Sequence, residues 1–209
     1  STLATKISTN HTFFNRENDH FDFFFKYALP EVVGKHKSSR SSDIRVWSAG
    51  CSSGEEPYML VMLMLEYFGK EYPLWDAGVL ATDISEKALG IARTAVYAEE
   101  RVRQLPPNFM KKYFRKKGDE YEVIEDVRKE VTYRKFNLMT DVFPFKKKFD
   151  IIFCRNVMIY FDPPTRDALV ERFRQSLDTG GFLFIGHSET ISRSNNNYEY
   201  IMPALYRKV

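Results

Sequence analysis

Three sets of residues in this sequence have types and spacing suited to chemistry. The first is Ser48-Ala49-Gly50-Cys51-Ser52-Ser53-Gly54, running into Glu55-Glu56. Small residues let a ligand approach the backbone, and the start of a following helix offers unpaired N–H groups. Two carboxylates in that first turn would repel a pyrophosphate, so the loop departs from the dinucleotide fingerprint. It suits a ligand with a cationic end, such as the ammonium and sulfonium of S-adenosyl-L-methionine. Acids in a first turn also complement the helix dipole, which is the simpler account of Glu55 and Glu56. The second set is Asp83, placed where a carboxylate takes both ribose hydroxyls of a nucleoside, and Asn137-Leu138, which could bond an adenine edge and cover a ring face. Asp83 could instead be a turn former and Asn137 an ordinary Asx-turn. The third is Arg155-Asn156, directly after the strongest strand pattern in the chain.

These residues need elements to hold them, and the hydrophobic pattern supplies an alternation. Strands are expected over 44–47, 78–82, 131–136, 149–154 and 182–185, with a closing hairpin at 198–201 and 204–207. Helices are expected over 16–29, stopped by Pro30, and from Glu55 to Phe68, apolar nearly all round and therefore buried. Another follows a Ser85 cap, and one more is capped by Asp162 with Pro163 in first position and stopped by Gly180-Gly181. A polar linker over 35–43 separates the first helix from the rest. Strands alternating with helices imply an α/β, doubly wound, mostly parallel sheet, with ligands at the carboxyl ends of its strands. Four of the five expected strands end in small or polar residues.

Composition narrows the class. With 209 residues, 44% apolar and 28% charged, the chain can bury a substantial core. Its longest apolar run, 58–65, ends at Glu66, far short of the roughly 20 residues of a membrane span. No secretory leader pattern is visible at Ser1-Thr2-Leu3, and Ser1 reads as a trimmed start. Two cysteines, Cys51 and Cys154, exclude a disulfide scaffold and point to a reducing, cytoplasmic compartment. Lysine and arginine (31) barely exceed aspartate and glutamate (28), which gives no argument for nucleic acid. His11, His20, His36 and His187 are scattered without the short ligand pairs of a zinc site, so no protein-built metal site is expected. Phenylalanines crowd the stretch before residue 30 and the stretch after residue 140.

Several runs carry a resemblance. Asn10-His11-Thr12-Phe13-Phe14-Asn15-Arg16-Glu17, Arg45-Val46-Trp47-Ser48-Ala49 with Ser53-Gly54-Glu55-Glu56-Pro57-Tyr58, Ile152-Phe153-Cys154-Arg155-Asn156-Val157-Met158-Ile159-Tyr160-Phe161, and Gly186-His187-Ser188-Glu189 closely resemble the bacterial chemotaxis receptor methyltransferase (CheR) family. The resemblance covers nearly the whole chain. It implies a Rossmann-like class I S-adenosyl-L-methionine-dependent methyltransferase with a C-terminal antiparallel hairpin and a small antiparallel β insertion. It would esterify glutamates on the cytoplasmic helices of chemotaxis receptors and release S-adenosyl-L-homocysteine. Carried onto this sequence, the cofactor contacts are Asn10, Thr12, Arg16, Ala49, Glu56, Asp83, Asn137, Leu138, Arg155 and Asn156, with Arg16 and Tyr160 beside the transferred methyl. No metal, nucleic acid or membrane insertion is implied, and a monomer is expected.

The resemblance also organises the chain. Residues 1–43 would carry the Asn-x-Thr motif and a packing helix, and 44–209 the methyltransferase domain, with 111–134 as the β insertion. The family's N-terminal helical domain is expected to be absent from this chain. In some members the insertion binds a receptor peptide tail, but here it looks too compact for that. Basic residues from Arg101 to Lys117 could meet acidic receptor helices or form a solvated face. Two rival functions are a methyltransferase of nucleic acid or protein amino groups, suggested by Asp162-Pro163-Pro164-Thr165, and a non-catalytic scaffold that binds the cofactor. Thr165 is not the aromatic that the first rival needs, and helix capping accounts better for the run.

Overall fold

The computed structural model describes residues 12–209, so Asn10 lies outside the described residues. The strands, in chain order, are β1 (Val46–Ala49), β2 (Val79–Asp83), β3 (Val96–Ala98), β4 (Phe114–Lys117), β5 (Glu120–Val123), β6 (Val131–Lys135), β7 (Phe149–Cys154), β8 (Leu177–Ile185), β9 (Tyr198–Met202) and β10 (Leu205–Lys208). Seven form one sheet in the order β6-β2-β1-β7-β8-β10-β9. The first five of these run parallel, and β10 lies antiparallel between β8 and β9. Strand order reverses at β1, between β2 and β7. Such a reversal is where a doubly wound sheet forms its ligand crevice, beyond the carboxyl ends of the strands. The small antiparallel sheet, β3-β5-β4, takes its strand β3 from ahead of the expected 111–134 insertion.

Side chains alternate between two cores. Val46, Ile151, Phe153, Phe182 and Phe184 face one, while Trp47, Ile152, Cys154, Leu183 and Ile185 face the other. A strand buried on both faces reads as a near-continuous apolar run, which is why β7, apolar but for Asp150, stands out in the sequence. Over the first core lies a helix that passes without a break from α1 (Asn18–Phe23) through a π-helical segment (Phe24–Ala28) into α2 (Leu29–Ser38). The expected stop at Pro30 does not occur. Proline removes a donor and crowds the carbonyl four residues back, and the wider π turn just ahead of it accommodates both effects. The expected linker is shortened accordingly, since residues 35–38 are helical. Beneath it, α3 (Glu55–Phe68) buries residues 57–64 on all sides, as its composition requires.

Ser85 caps α4 (Glu86–Thr94) by accepting from the Ala88 N–H at 3.1 Å. Two short helices, α5 (Glu99–Val102) and α6 (Pro107–Tyr113), lead into the small sheet, and α7 (Glu125–Arg128) leads out. Asp162 caps α8 (Pro163–Ser176) by accepting from the Thr165 N–H at 2.9 Å. That helix ends at Ser176, earlier than the expected Gly180-Gly181 stop, because Leu177 turns extended and the chain enters β8 at once. Both glycines lie within the strand, and Gly180 is left-handed (φ 81°) near a register shift against β7.

Trp47 packs against Phe136, Phe143, Phe145, Phe149 and Phe173, with ring centroids 4.8–5.8 Å away. Its indole N–H donates to Thr82 Oγ1 at 3.0 Å, in full burial. Thr82→Val keeps the side-chain shape but orphans that donor, so stability should fall by about 1–3 kcal/mol. In urea unfolding the midpoint should drop with the slope unchanged. A midpoint equal to the parent's would mean the indole does not depend on Thr82.

Candidate active site

The loop from β1 to α3 is stitched to the end of β2. The N–H groups of Gly50 and Cys51 both donate to the Thr82 carbonyl at 2.8 Å. Asp83 then accepts from Ser52 N–H at 2.8 Å and from Ser85 N–H at 2.9 Å, one on each carboxylate oxygen. Each oxygen retains acceptor capacity. Burial pushes the Asp83 carboxyl above its ordinary range, against the pull of these backbone donors. Gly50 is left-handed (φ 76°), and a Cβ there would sit 2.5 Å from Val157 Cγ2, so this turn and the one after β7 lie in close contact. Cys51 and Cys154 are both buried, and burial raises both thiols well above their ordinary value.

Glu55 and Glu56 have separate fates, which corrects the expectation of two carboxylates facing a ligand. Glu55 is fully buried, accepts from Ser53 Oγ at 2.6 Å and pairs with Arg101 Nη1 at 3.0 Å. Burial raises its carboxyl too. This pair ties α3 to α5 and partners Arg101, whose side chain stays 40% exposed, while Lys111, Arg115 and Lys116 are exposed on the basic surface. Glu56 stays at the crevice, accepting from Ser48 Oγ at 2.7 Å and from Arg155 Nε at 2.8 Å.

Arg155 holds the centre of the arrangement, with its side chain only 4% exposed. Beyond Glu56, its Nη1 donates to the Arg16 carbonyl at 2.8 Å and lies 3.5 Å from Glu17 Oε2. Its guanidinium also stacks over Phe21, 4.7 Å from the ring centroid. The resemblance names Arg155 as a cofactor contact; in the structure its Nε and Nη1 also clamp the segment carrying Arg16. That segment is bent, with Asn15 and Glu17 both left-handed. It is anchored again at Phe14, whose N–H donates to the Arg101 carbonyl at 2.9 Å and whose ring meets Tyr97 and Phe114 edge-on.

After β7 the chain turns through left-handed Asn156 (φ 62°) into a 3-10 turn, Met158–Tyr160, where Tyr160 is 58% exposed. Glu189 organises this turn. Its Oε1 accepts from Asn156 N–H at 2.8 Å and Gly186 N–H at 2.6 Å, and its Oε2 from Met158 N–H at 2.6 Å. Sequence reasoning assigned Glu189 no role. The signal available was the Gly186-His187-Ser188-Glu189 run, in which Gly186 is obligatory because a Cβ would lie 2.4 Å from Asn156 Oδ1.

The remaining expected residues are more dispersed. Ala49 is buried at the end of β1, and Thr12 and Arg16 are half-buried in the anchored segment. Asn137 forms the Asx-turn, its Oδ1 accepting from Met139 N–H at 2.9 Å. Leu138 is half-buried, and its carbonyl accepts from Arg172 at 2.8 Å. Direct contacts thus join Arg16, Glu56 and Arg155, and Asp83 is bonded to the same glycine loop. Asn137 and Leu138 lie just past β6, next to Phe136, whose N–H donates to the Asp83 carbonyl at 3.0 Å.

The family profile described as CheR methyltransferase, SAM binding domain, matches residues 10–206 of this chain. The chain belongs to this family. A chemotaxis protein methyltransferase of Borreliella burgdorferi is 50% identical over 207 residues, covering 99% of this chain and 73% of that protein. The Escherichia coli chemotaxis protein methyltransferase is 36% identical, over 94% of this chain and 66% of its own length. A probable chemotaxis protein methyltransferase of Rhizobium etli is 40% identical, over 91% and 71%. As a CheR family member the chain is an S-adenosyl-L-methionine-dependent methyltransferase. Its residues fit that cofactor chemically: Asp83 and Glu56 are carboxylate acceptors flanking a loop of small residues. Among the described residues, no helix is long and apolar enough to cross a membrane.

Proposed function

We propose that this chain methylates glutamate side chains on the cytoplasmic helices of chemotaxis receptors, forming glutamyl methyl esters in the cytoplasm. The observation that carries this reading is the Arg155 clamp, which holds the Arg16 segment against the helix of the glycine loop at 2.8 Å on both sides. The names of the CheR relatives supply the class of substrate. Asp162 is occupied in capping α8, which weighs against the amino-group methyltransferases.

S-adenosyl-L-methionine, when bound, supplies a methyl group on a cationic sulfur and departs as S-adenosyl-L-homocysteine. Asp83 would take the ribose hydroxyls, Glu56 would balance the cationic end, and Asn137 with Leu138 would meet the adenine. Asn10, Thr12, Arg16, Ala49, Arg155 and Asn156 would complete the contacts. The substrate glutamate is already ionised at neutral pH, with an ordinary pKa near ~4.3, so no general base is required. In transfer of that methyl group the substrate carboxylate would lose its negative charge. A residue that neutralised the carboxylate tightly beforehand would therefore slow the step. Arg16 and Tyr160 act by orientation, aligning one carboxylate oxygen with the methyl–sulfur axis, an effect with a ceiling of roughly 7–11 kcal/mol.

The primary test is incubation with methyl-labelled cofactor and receptor cytoplasmic fragments, with DNA and RNA as controls, followed by mapping of the labelled residue. Label on glutamate, released as methanol by mild base, is the expected result; base-stable label, or label on nucleic acid, overturns it. Tyr160→Phe should lower turnover about tenfold, corresponding to about 1.4 kcal/mol, with cofactor affinity unchanged. Wild-type turnover in that variant would remove Tyr160 from the reaction.

A further inference from the structure

Glu17, His20 and His187 converge beside the clamp, each with a ligating atom within 4.8 Å of the other two. His20 is completely buried, yet its Nδ1 has no hydrogen-bond partner, while its Nε2 lies 3.2 Å from the Pro203 carbonyl. A carbonyl can only accept, so the proton belongs on Nε2 and the lone pair on Nδ1. His187 has the same polarity. Its Nε2 is 2.9 Å from an Asp19 carboxylate oxygen, which leaves Nδ1 as the lone-pair nitrogen, 3.9 Å from Glu17 Oε1. Glu17 is divided in the same way. Arg155 approaches Oε2, and Oε1 faces His187.

We propose that Glu17, His20 and His187 form a binding site for a divalent transition-metal ion of the zinc class. Two imidazole nitrogens and one carboxylate oxygen are a donor set that suits zinc, with water as the fourth ligand. Asp19 behind His187, and the Pro203 carbonyl behind His20, are the outer partners that fix ring orientation and tautomer in such sites. A tetrahedral zinc site separates its ligand atoms by about 3.4 Å, so the cluster must contract by roughly an ångström. His187, 42% exposed, is able to move inward and gives the ion a route from solvent. The site joins the segment next to Arg16 to the loop that carries Glu189, so a bound ion fixes the two against each other.

The test uses the chain without a histidine tag, dialysed against micromolar zinc and analysed for metal. One equivalent per chain is expected, and cobalt in its place should show the visible absorption of a four-coordinate ion. His187→Gln, at an exposed position, should weaken binding at least 100-fold, and Asp19→Asn about 10–100-fold through the outer shell. Circular dichroism confirms that each variant is folded. No stoichiometric binding at micromolar zinc, or binding unchanged in folded His187→Gln, overturns the proposal.

Discussion

Arg155→Ala is expected to abolish measurable cofactor binding and to lower folding stability by about 3–5 kcal/mol, because it strands two carboxylates that one buried guanidinium now serves. Glu56 would lose its 2.8 Å partner, and the Arg16 carbonyl would lose the donor that pins its segment. Lysine is no remedy. One ammonium cannot reproduce the guanidinium fork that reaches Glu56 through Nε and the opposite segment through Nη1. Denaturant unfolding and calorimetric titration with S-adenosyl-L-methionine measure the two effects separately. Coupling can be tested too: in Arg155→Met with Glu56→Gln, one of the two stranded charges is gone, so the double variant should be more stable than Arg155→Met alone. A loss below about 1 kcal/mol in Arg155→Ala, with normal cofactor binding, would show that the clamp carries no load.

Glu189→Gln should have the second largest effect, and chiefly on turnover. The carboxylate accepts three backbone N–H groups on its two oxygens. A carboxamide can accept on only one side. Its NH2 must face either the Met158 N–H or the pair from Asn156 and Gly186, which orphans at least one buried donor at about 1–3 kcal/mol. The turn from Asn156 to Tyr160 relaxes as a result. Displacing a positioning group by about 1 Å can cost about 100-fold in rate. Turnover on receptor fragments should fall by that order while cofactor affinity changes much less, and wild-type turnover would show that Glu189 does not position the turn.

Much of this arrangement could be read from local signals. The glycine loop, the Asp83 position, the two helix caps and the largely apolar run of β7 each depend on residues close together in sequence, and each is found where its pattern lies. What local pattern cannot carry is partner choice across the fold. Glu55 and Glu56 are neighbours of the same type, but one is buried against Arg101 and the other faces Arg155, and nothing in their spacing distinguishes them. The clamp itself joins residues from opposite ends of the chain. Pro30 misled for a different reason: a proline argues for a helix end only when the preceding turn is an α turn, and here that turn is π-helical. The Gly180-Gly181 pair misled because the helix had already given way to a strand.

The buried thiol of Cys51 makes the glycine loop self-reporting. A thiol that is shielded from solvent and reluctant to ionise reacts negligibly with a soluble disulfide reagent until the surrounding backbone opens. Cys51 labelling would therefore run at the pace of loop opening rather than of sulfur chemistry. Cys154, at the end of the central strand β7, provides an internal clock, since its exposure requires the sheet itself to part. The ratio of the two labelling rates would separate breathing of the ligand crevice from global unfolding in a single time course, with no added probe. A ligand that closes the crevice should slow the first reaction more than the second.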